Sequence, residues 1–267
     1  MICGIWISMN SFLHKVLCVC LGGVFALLLG GSARARELHV GIGYAIPPYV
    51  ITESDAGLEV DIIRQALLEA GYESLFIYLP NLRLPVEFAK GNLDCVAANS
   101  VYDLGKDSGR SAFPSQKTIA YRNYAITLRD DWLHIASIND LAGKTVLGFN
   151  NARLFLGPEF RAMARLNTNY RELDDQSLQV RMLFARRAQV VIADKFIFLW
   201  WREYLKKVSP SMKRELSLPL AFHEIFPPSP RRVSFAWPEV RSAFDSALDE
   251  LRKSGRLESI INQYIQP

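Results

Sequence analysis

Apolar and polar positions along this chain follow two periods in turn. Leu38-His39-Val40-Gly41-Ile42 places apolar and small residues at strand spacing and predicts a first strand. Ile46-Pro47-Pro48-Tyr49 follows, and it cannot continue a ladder because proline has no N–H to donate. From Val60 to Ala70 the apolar positions Val60, Ile63, Ala66, Leu67 and Ala70 recur three and four apart. That spacing predicts a helix buried on one face and stopped by Gly71. Leu75 to Leu79 reads as a second strand, Pro85 to Lys90 as a short helix closed by Gly91, and Cys95 to Ala98 as a third strand. Strands alternating with helices imply parallel pairing through right-handed crossovers.

The pattern then repeats. Lys144 to Phe149 predicts a strand, Leu154 to Leu166 and Leu178 to Ala185 predict helices, and Val190 to Ala193 predicts a buried strand ending at Asp194. Val86 to Ala97 and Met182 to Ile192 each run through a helix end, a tight turn and a short apolar strand. Two such units predict two similar lobes. Near the end, Pro238 suits a first helical position, and Val240, Phe244, Ala247, Leu248 and Leu251 form one apolar stripe halted at Gly255. A terminal helix over Leu257 to Tyr264 follows. Tyr124–Leu128 and Arg232–Ala236 read as two extended crossings, so 36–124 with 236–267 would form one lobe and 125–235 the other.

The first 35 residues carry a different pattern. Lys15 precedes an apolar run from Val16 to Leu29, and Ala33-Arg34-Ala35 offers small residues at the two positions a signal peptidase reads. The run falls short of the roughly 20 apolar residues a membrane span needs. Residues 1–35 are therefore expected to be a cleaved signal peptide, starting at Met1 or Met9, and the rest is expected in the periplasm. Cys18 and Cys20 lack the small residues that precede a lipidated cysteine, and with Cys3 they leave with the leader. Cys95 then stands alone, so no intramolecular disulfide forms and the fold must rest on its core.

Charge excludes some partners. The chain has 31 Lys+Arg against 27 Asp+Glu, and loss of Lys15 and Arg34 halves the excess. That balance argues against nucleic acid or an anionic membrane. The local pairs Arg186-Arg187, Lys206-Lys207 and Arg231-Arg232 read as solvated faces. His14, His39, His134 and His223 are scattered without metal-ligand spacing, and no nucleophile motif or P-loop is present. No catalytic residue, metal or cofactor is expected, and the chain reads as no enzyme.

Six segments in order resemble the family 3 periplasmic solute-binding proteins, receptors for polar amino acid importers. Val40-Gly41-Ile42 with Pro47-Pro48-Tyr49 is similar to the family's first strand and "PPF" turn. Gly57-Leu58-Glu59-Val60-Asp61-Ile62 resembles "GFDVDL", Gly91-Asn92-Leu93-Asp94 "GKIDV", and Leu141-Ala142-Gly143-Lys144-Thr145-Val146 "LKGKKV". Val190-Val191-Ile192-Ala193-Asp194 resembles "AVVxD", and Phe244 to Tyr264 resembles the terminal "AxxxLxxxGxxxxIxxxY". The resemblance implies an α/β, two-lobed periplasmic binding protein fold (type II), with two parallel-sheet lobes joined by two hinge strands and a ligand between them.

It also implies where a ligand would sit. The family's carboxylate-binding arginine, in "TxTxxR" after the third strand, aligns with Lys106, and Arg110 lies four residues on; Asn99 opens the same loop. Lysine keeps the charge but loses the planar fork that grips a carboxylate. The aspartate that holds the ligand amine is kept as Asp194, which could instead cap the following helix. The family's Gly-Thr or Gly-Ser anion site becomes Asn150-Asn151-Ala152-Arg153, with Asn151 and Arg153 as donors. The family's stacking rings align with Ile46 and Asn81; Tyr44 and Tyr49 are the nearby rings and Arg83 the nearby cation. Tyr44, Arg83, Asn99, Lys106, Arg110, Asn151, Arg153 and Asp194 are thus the candidate ligand-binding residues. The expected molecule is a monomer that delivers a small polar ligand to an inner-membrane permease. Two other readings stand beside it: a sensor subunit whose signalling partner is a separate chain, and a dehydratase-like enzyme on the same fold.

Overall fold

The structure, a computed structural model, describes residues 36–44 and 46–264. The expected signal peptide lies outside the described residues. The chain divides into Met1–Arg36 and Glu37–Pro267, and the architecture below is that of the second unit.

The first lobe opens with β1 (Arg36–Gly43), α1 (Leu58–Glu69), β2 (Tyr72–Leu79), α2 (Leu84–Ala89), β3 (Cys95–Asn99), α3 (Leu104–Ser108) and β4 (Phe113–Tyr121). The second holds β5 (Asn123–Leu128), β6 (Val146–Phe149), α4 (Ala152–Phe155), α5 (Gly157–Leu166), β7 (Tyr170–Leu173), α6 (Gln176–Phe184), β8 (Val190–Asp194), α7 (Lys195–Val208) and β9 (Leu220–His223). The chain then returns to the first lobe as β10 (Ser229–Phe235), α8 (Pro238–Lys253) and α9 (Arg256–Tyr264). The sheets run β2-β1-β3-β10-β4 and β7-β6-β8-β5-β9.

Neither sheet is wholly parallel, as the alternation of strands and helices had suggested. β1 and β3 pair in parallel, but β10 runs antiparallel to both β3 and β4. In the second sheet β6 is parallel to β7 and β8, whereas β5 is antiparallel to β8 and β9. The antiparallel strands are the ones adjoining the lobe changes. Tyr124–Leu128 is therefore an internal strand of the second sheet, and Arg232–Ala236 falls largely in β10, an internal strand of the first. Val233 and Phe235 are fully buried there, paired with Ala97 and Cys95 of β3 and packed in the first lobe's core. The chain changes lobes instead at Arg122, between β4 and β5, and at residues 224–228, between β9 and β10. The edge of the second lobe moves from 235 back to about 223 accordingly.

Each sheet is covered on both faces. Val60, Ile63 and Leu67 of α1 and Phe244, Leu248 and Leu251 of α8 pack on one face of the first sheet. Leu84 and Phe88 of α2 and Leu104 of α3 close over Val96 on the other. In the second lobe Val180, Leu183, Phe184, Phe198 and Leu205 cover one face, and Phe160 and Met163 the other. Leu154 to Leu166, expected as one helix, breaks at Gly157, whose φ of +91° no continuing α-helix adopts. Among the described residues no helix is long and apolar enough to cross a membrane.

Candidate functional site

A cavity of about 600 Å3 lies between the lobes. The second lobe lines it from the carboxyl ends of three parallel strands: Phe149 at the end of β6 with Asn150 and Asn151 after it, Asp174 and Gln176 after β7, and Asp194 at the end of β8. Ligands of open α/β sheets bind at this position, where loops leave the strands. The first lobe contributes Asn99 from β3, Asp107 from α3, and Ser229, Arg231, Arg232 and Ser234 from β10. Ile46 and Asn81, the positions aligned with the family's rings, line it too without supplying a ring. The aromatic wall comes from elsewhere. Tyr102 of the first lobe meets Phe155 of the second edge-on, with centroids 5.9 Å apart, and Phe155 stacks on Phe149.

Asp194 lines the cavity and is almost fully buried, with 2% exposure. Its Oδ1 accepts the backbone N–H groups of Phe196 at 2.9 Å and Ile197 at 3.2 Å, capping α7. Its Oδ2 accepts the Arg122 N–H at 2.7 Å, and the Tyr49 hydroxyl donates at 3.2 Å to both oxygens. Burial pushes its pKa up to about 6, while the three N–H donors and the Tyr49 hydroxyl pull the other way. A carboxylate has about four acceptor sites, and these contacts use them. The side chain therefore fixes the crossing at Arg122 and the start of α7, which leaves little of it for a ligand amine.

Behind it lies a second buried charge. Arg231 Nε donates to both oxygens of Glu59, at 2.8 and 3.0 Å, and its guanidinium lies 4.9 Å from the Tyr121 ring centroid. Burial works against the Arg231 charge, but the Glu59 carboxylate outweighs it and holds the pKa above its ordinary value. The Tyr121 hydroxyl donates to Glu59 at 2.9 Å, and Tyr49 packs on Tyr121 with centroids 4.2 Å apart. Tyr49 is thus a core ring whose hydroxyl reaches the second lobe.

The other expected ligand contacts are largely turned away. Arg110 Nη1 donates to the carbonyls of Phe88 at 2.7 Å and Leu93 at 3.4 Å, and its guanidinium lies over the Phe88 ring. It ties α2 to the start of β3 and does not line the cavity. Lys106 is exposed on α3, where its backbone N–H caps on Asp103, and only its neighbour Asp107 reaches the cavity. Arg83 begins α2 with an ion pair to Glu87 at 3.6 Å, and Tyr44 is 54% exposed; neither lines the cavity. Asn99 does, but its amide is engaged: it donates to Ser229 at 2.6 Å and accepts from the Val101 N–H at 3.0 Å.

The expected anion site at the start of α4 is filled from within. Glu172 accepts the backbone N–H groups of Asn151 and Arg153, each at 3.0 Å, together with the Tyr170 hydroxyl at 2.8 Å. Arg153 Nε lies 3.9 Å from the same carboxylate, on an exposed side chain outside the cavity lining. Asn151 lines the cavity in the left-handed conformation, at φ 64°. The pair Arg231-Arg232, expected on a solvated face, is what sequence reasoning missed. Its strand setting, apolar Val233 and Phe235 with Arg231 at the same parity, was the available signal.

No family model matches the sequence. The probable amino-acid-binding protein YxeM of Bacillus subtilis (strain 168) is 23% identical over 243 residues, covering 88% of this chain and 87% of the relative. Among solved structures, the probable amino-acid ABC transporter extracellular-binding protein ytmK of Bacillus subtilis matches with a TM-score of 0.65 at 16% identity, over 86% of this chain and 98% of that one. A histidine kinase sensor domain with similarity to periplasmic binding proteins matches with a TM-score of 0.62 at 18% identity, over 87% and 97%. These relatives are binding proteins and a sensor domain rather than enzymes. The fold is that of the two-lobed, type II periplasmic binding proteins, and the cavity occupies the cleft between its lobes.

Proposed function

We propose that this chain is an exported solute-binding receptor that takes a small polar, amino-acid-like ligand into the cleft and delivers it to an ABC-type importer, working as a monomer and doing no covalent chemistry. The observation that carries this reading is the cavity of about 600 Å3 at the carboxyl ends of β6, β7 and β8, faced by the first lobe, with a largely apolar wall into which a few polar and charged side chains are set. Its volume suits a small molecule. The likeness to YxeM and ytmK, named for amino acid binding, supports the ligand class. The likeness to a histidine kinase sensor domain supports a second reading, a sensor subunit reporting to a separate partner.

A thermal-shift screen against amino acids, polyamines and organic acids tests the receptor reading. A ligand at 100 times its Kd stabilises by about 2.7 kcal/mol; a flat response to every amino acid sinks the reading. Closure would turn the lobes about Arg122 and residues 224–228, so small-angle scattering should show compaction with the stabilising ligand. Loss of uptake of that ligand in a deletion strain marks transport, whereas unchanged uptake with a lost response marks sensing. Turnover of a cyclic acid would mark the dehydratase-like alternative. Export predicts a mature N-terminus at Arg36 by mass spectrometry.

A further inference from the structure

Two cationic side chains line the cavity among the described residues, Arg231 and Arg232. They point to opposite faces of β10. Arg231 stands opposite Asn99, in line with Val233 and Phe235, whose partners Ala97 and Cys95 belong to the α1–α8 core. There its charge is spent on Glu59. Arg232 stands opposite Ala98, and Ser234 opposite Val96. Facing residues of an antiparallel pair share a face, and all four of these line the cavity.

Arg232 is therefore a cation set into the cavity wall from an internal strand. It forms no salt bridge among the described residues, and its Nε is buried without a hydrogen-bond partner. A buried N–H left unmatched costs free energy that a bound acceptor recovers. The other groups expected to hold an anion are already engaged: Arg110 by the Phe88 and Leu93 carbonyls, and the start of α4 by Glu172. The carboxylates of Asp107 and Asp174 line the same cavity and form no salt bridge among the described residues.

Resting on the receptor reading, we propose that Arg232 is the anion anchor of this cavity and receives the α-carboxylate of a zwitterionic ligand whose ammonium group faces the acidic side chains. The anchor is thereby supplied by the returning strand β10 and not by the loop after β3. A guanidinium on a paired strand is held more rigidly than one on a loop, and its planar fork suits a carboxylate.

The test is isothermal titration of the mature protein with L-arginine, L-glutamine and L-glutamate, each beside its α-carboxamide, for wild type, Arg232→Gln and Arg232→Lys. Wild type should bind at least one acid, and bind its carboxamide about 30-fold or more weaker, the loss typical of one partner of a desolvated charge pair. Arg232→Gln should weaken the acid by a similar factor and leave the carboxamide unchanged, with Arg232→Lys between. An Arg232→Gln variant that binds the acid as wild type does, or loses acid and carboxamide equally, overturns the anchor and leaves the receptor reading standing. Wild type binding none of the six probes overturns the anchor, while the receptor reading is decided separately by the thermal-shift screen against every amino acid. If Arg232→Gln fails to fold, Arg232→Lys decides: a loss confined to the acid upholds the anchor, and wild-type affinity for the acid overturns it.

Discussion

Asp194 joins three duties in one carboxylate: cap of α7, brace for the Arg122 crossing, and partner of Tyr49 across the lobes. In the unfolded chain such a group titrates near 3.9, and in the fold at about 6. The native state therefore binds the proton more strongly between those values. Its stabilising effect is complete below about pH 4 and is lost as pH rises through 6. The difference amounts to about 2–3 kcal/mol. Thermal melts from pH 4 to pH 7 should show wild type losing stability relative to Asp194→Asn; parallel profiles would refute this assignment. The Glu59–Arg231 pair behaves differently because each charge depends on the other. Glu59→Ala strands a buried guanidinium and should cost about 3–5 kcal/mol, read as a drop in Tm. At this scale the sequence was least informative. It indicated that Asp194 closes a buried strand, but the choice between ligand and cap turned on donors contributed by Arg122 and Tyr49, distant in sequence. Lys106, Arg110 and Arg153 were chosen by alignment spacing, and spacing does not say where a long side chain points.

Among the elements, those with a strong period were legible. The stripes of α1 and α8 and the short apolar strands β3 and β8 lie within a few residues of where spacing placed them. β4 was not foreseen, since its sequence Phe-Pro-Ser-Gln-Lys-Thr-Ile-Ala-Tyr has no sustained apolar run. β10 was recognised as extended but assigned to a crossing, because strand character is local and the partner strand is not. The turn into α1 shows a local constraint of another kind. Gly57 has φ +133°, and a Cβ there would come within 2.4 Å of the Tyr49 carbonyl oxygen. Its N–H is accepted by the Tyr264 hydroxyl at 3.1 Å, which draws α9 onto the start of α1. Gly57→Ala should therefore cost more than about 1 kcal/mol and expose the last helix to proteolysis. Unchanged denaturant midpoints would argue that the turn relaxes freely.

Across the whole molecule, two lobes were legible because the α/β unit recurs, and the cleft between them was implied by the family resemblance, while the points of crossing were not legible. Residues 123–223 make every strand of the second sheet, whereas the first sheet is drawn from both ends of the chain. A chain ending at His223 should accordingly keep a protease-resistant fragment beginning near Arg122, with the segment before it degraded. Uniform digestion of both halves would count against this. The topology predicts an order of assembly reversed relative to the order of synthesis. β3 and β4 have no contact partner in each other until β10 enters between them, so the lobe whose residues are made first is the last to close. A premature stop late in the reading frame would spare the middle of the protein and unmake its beginning.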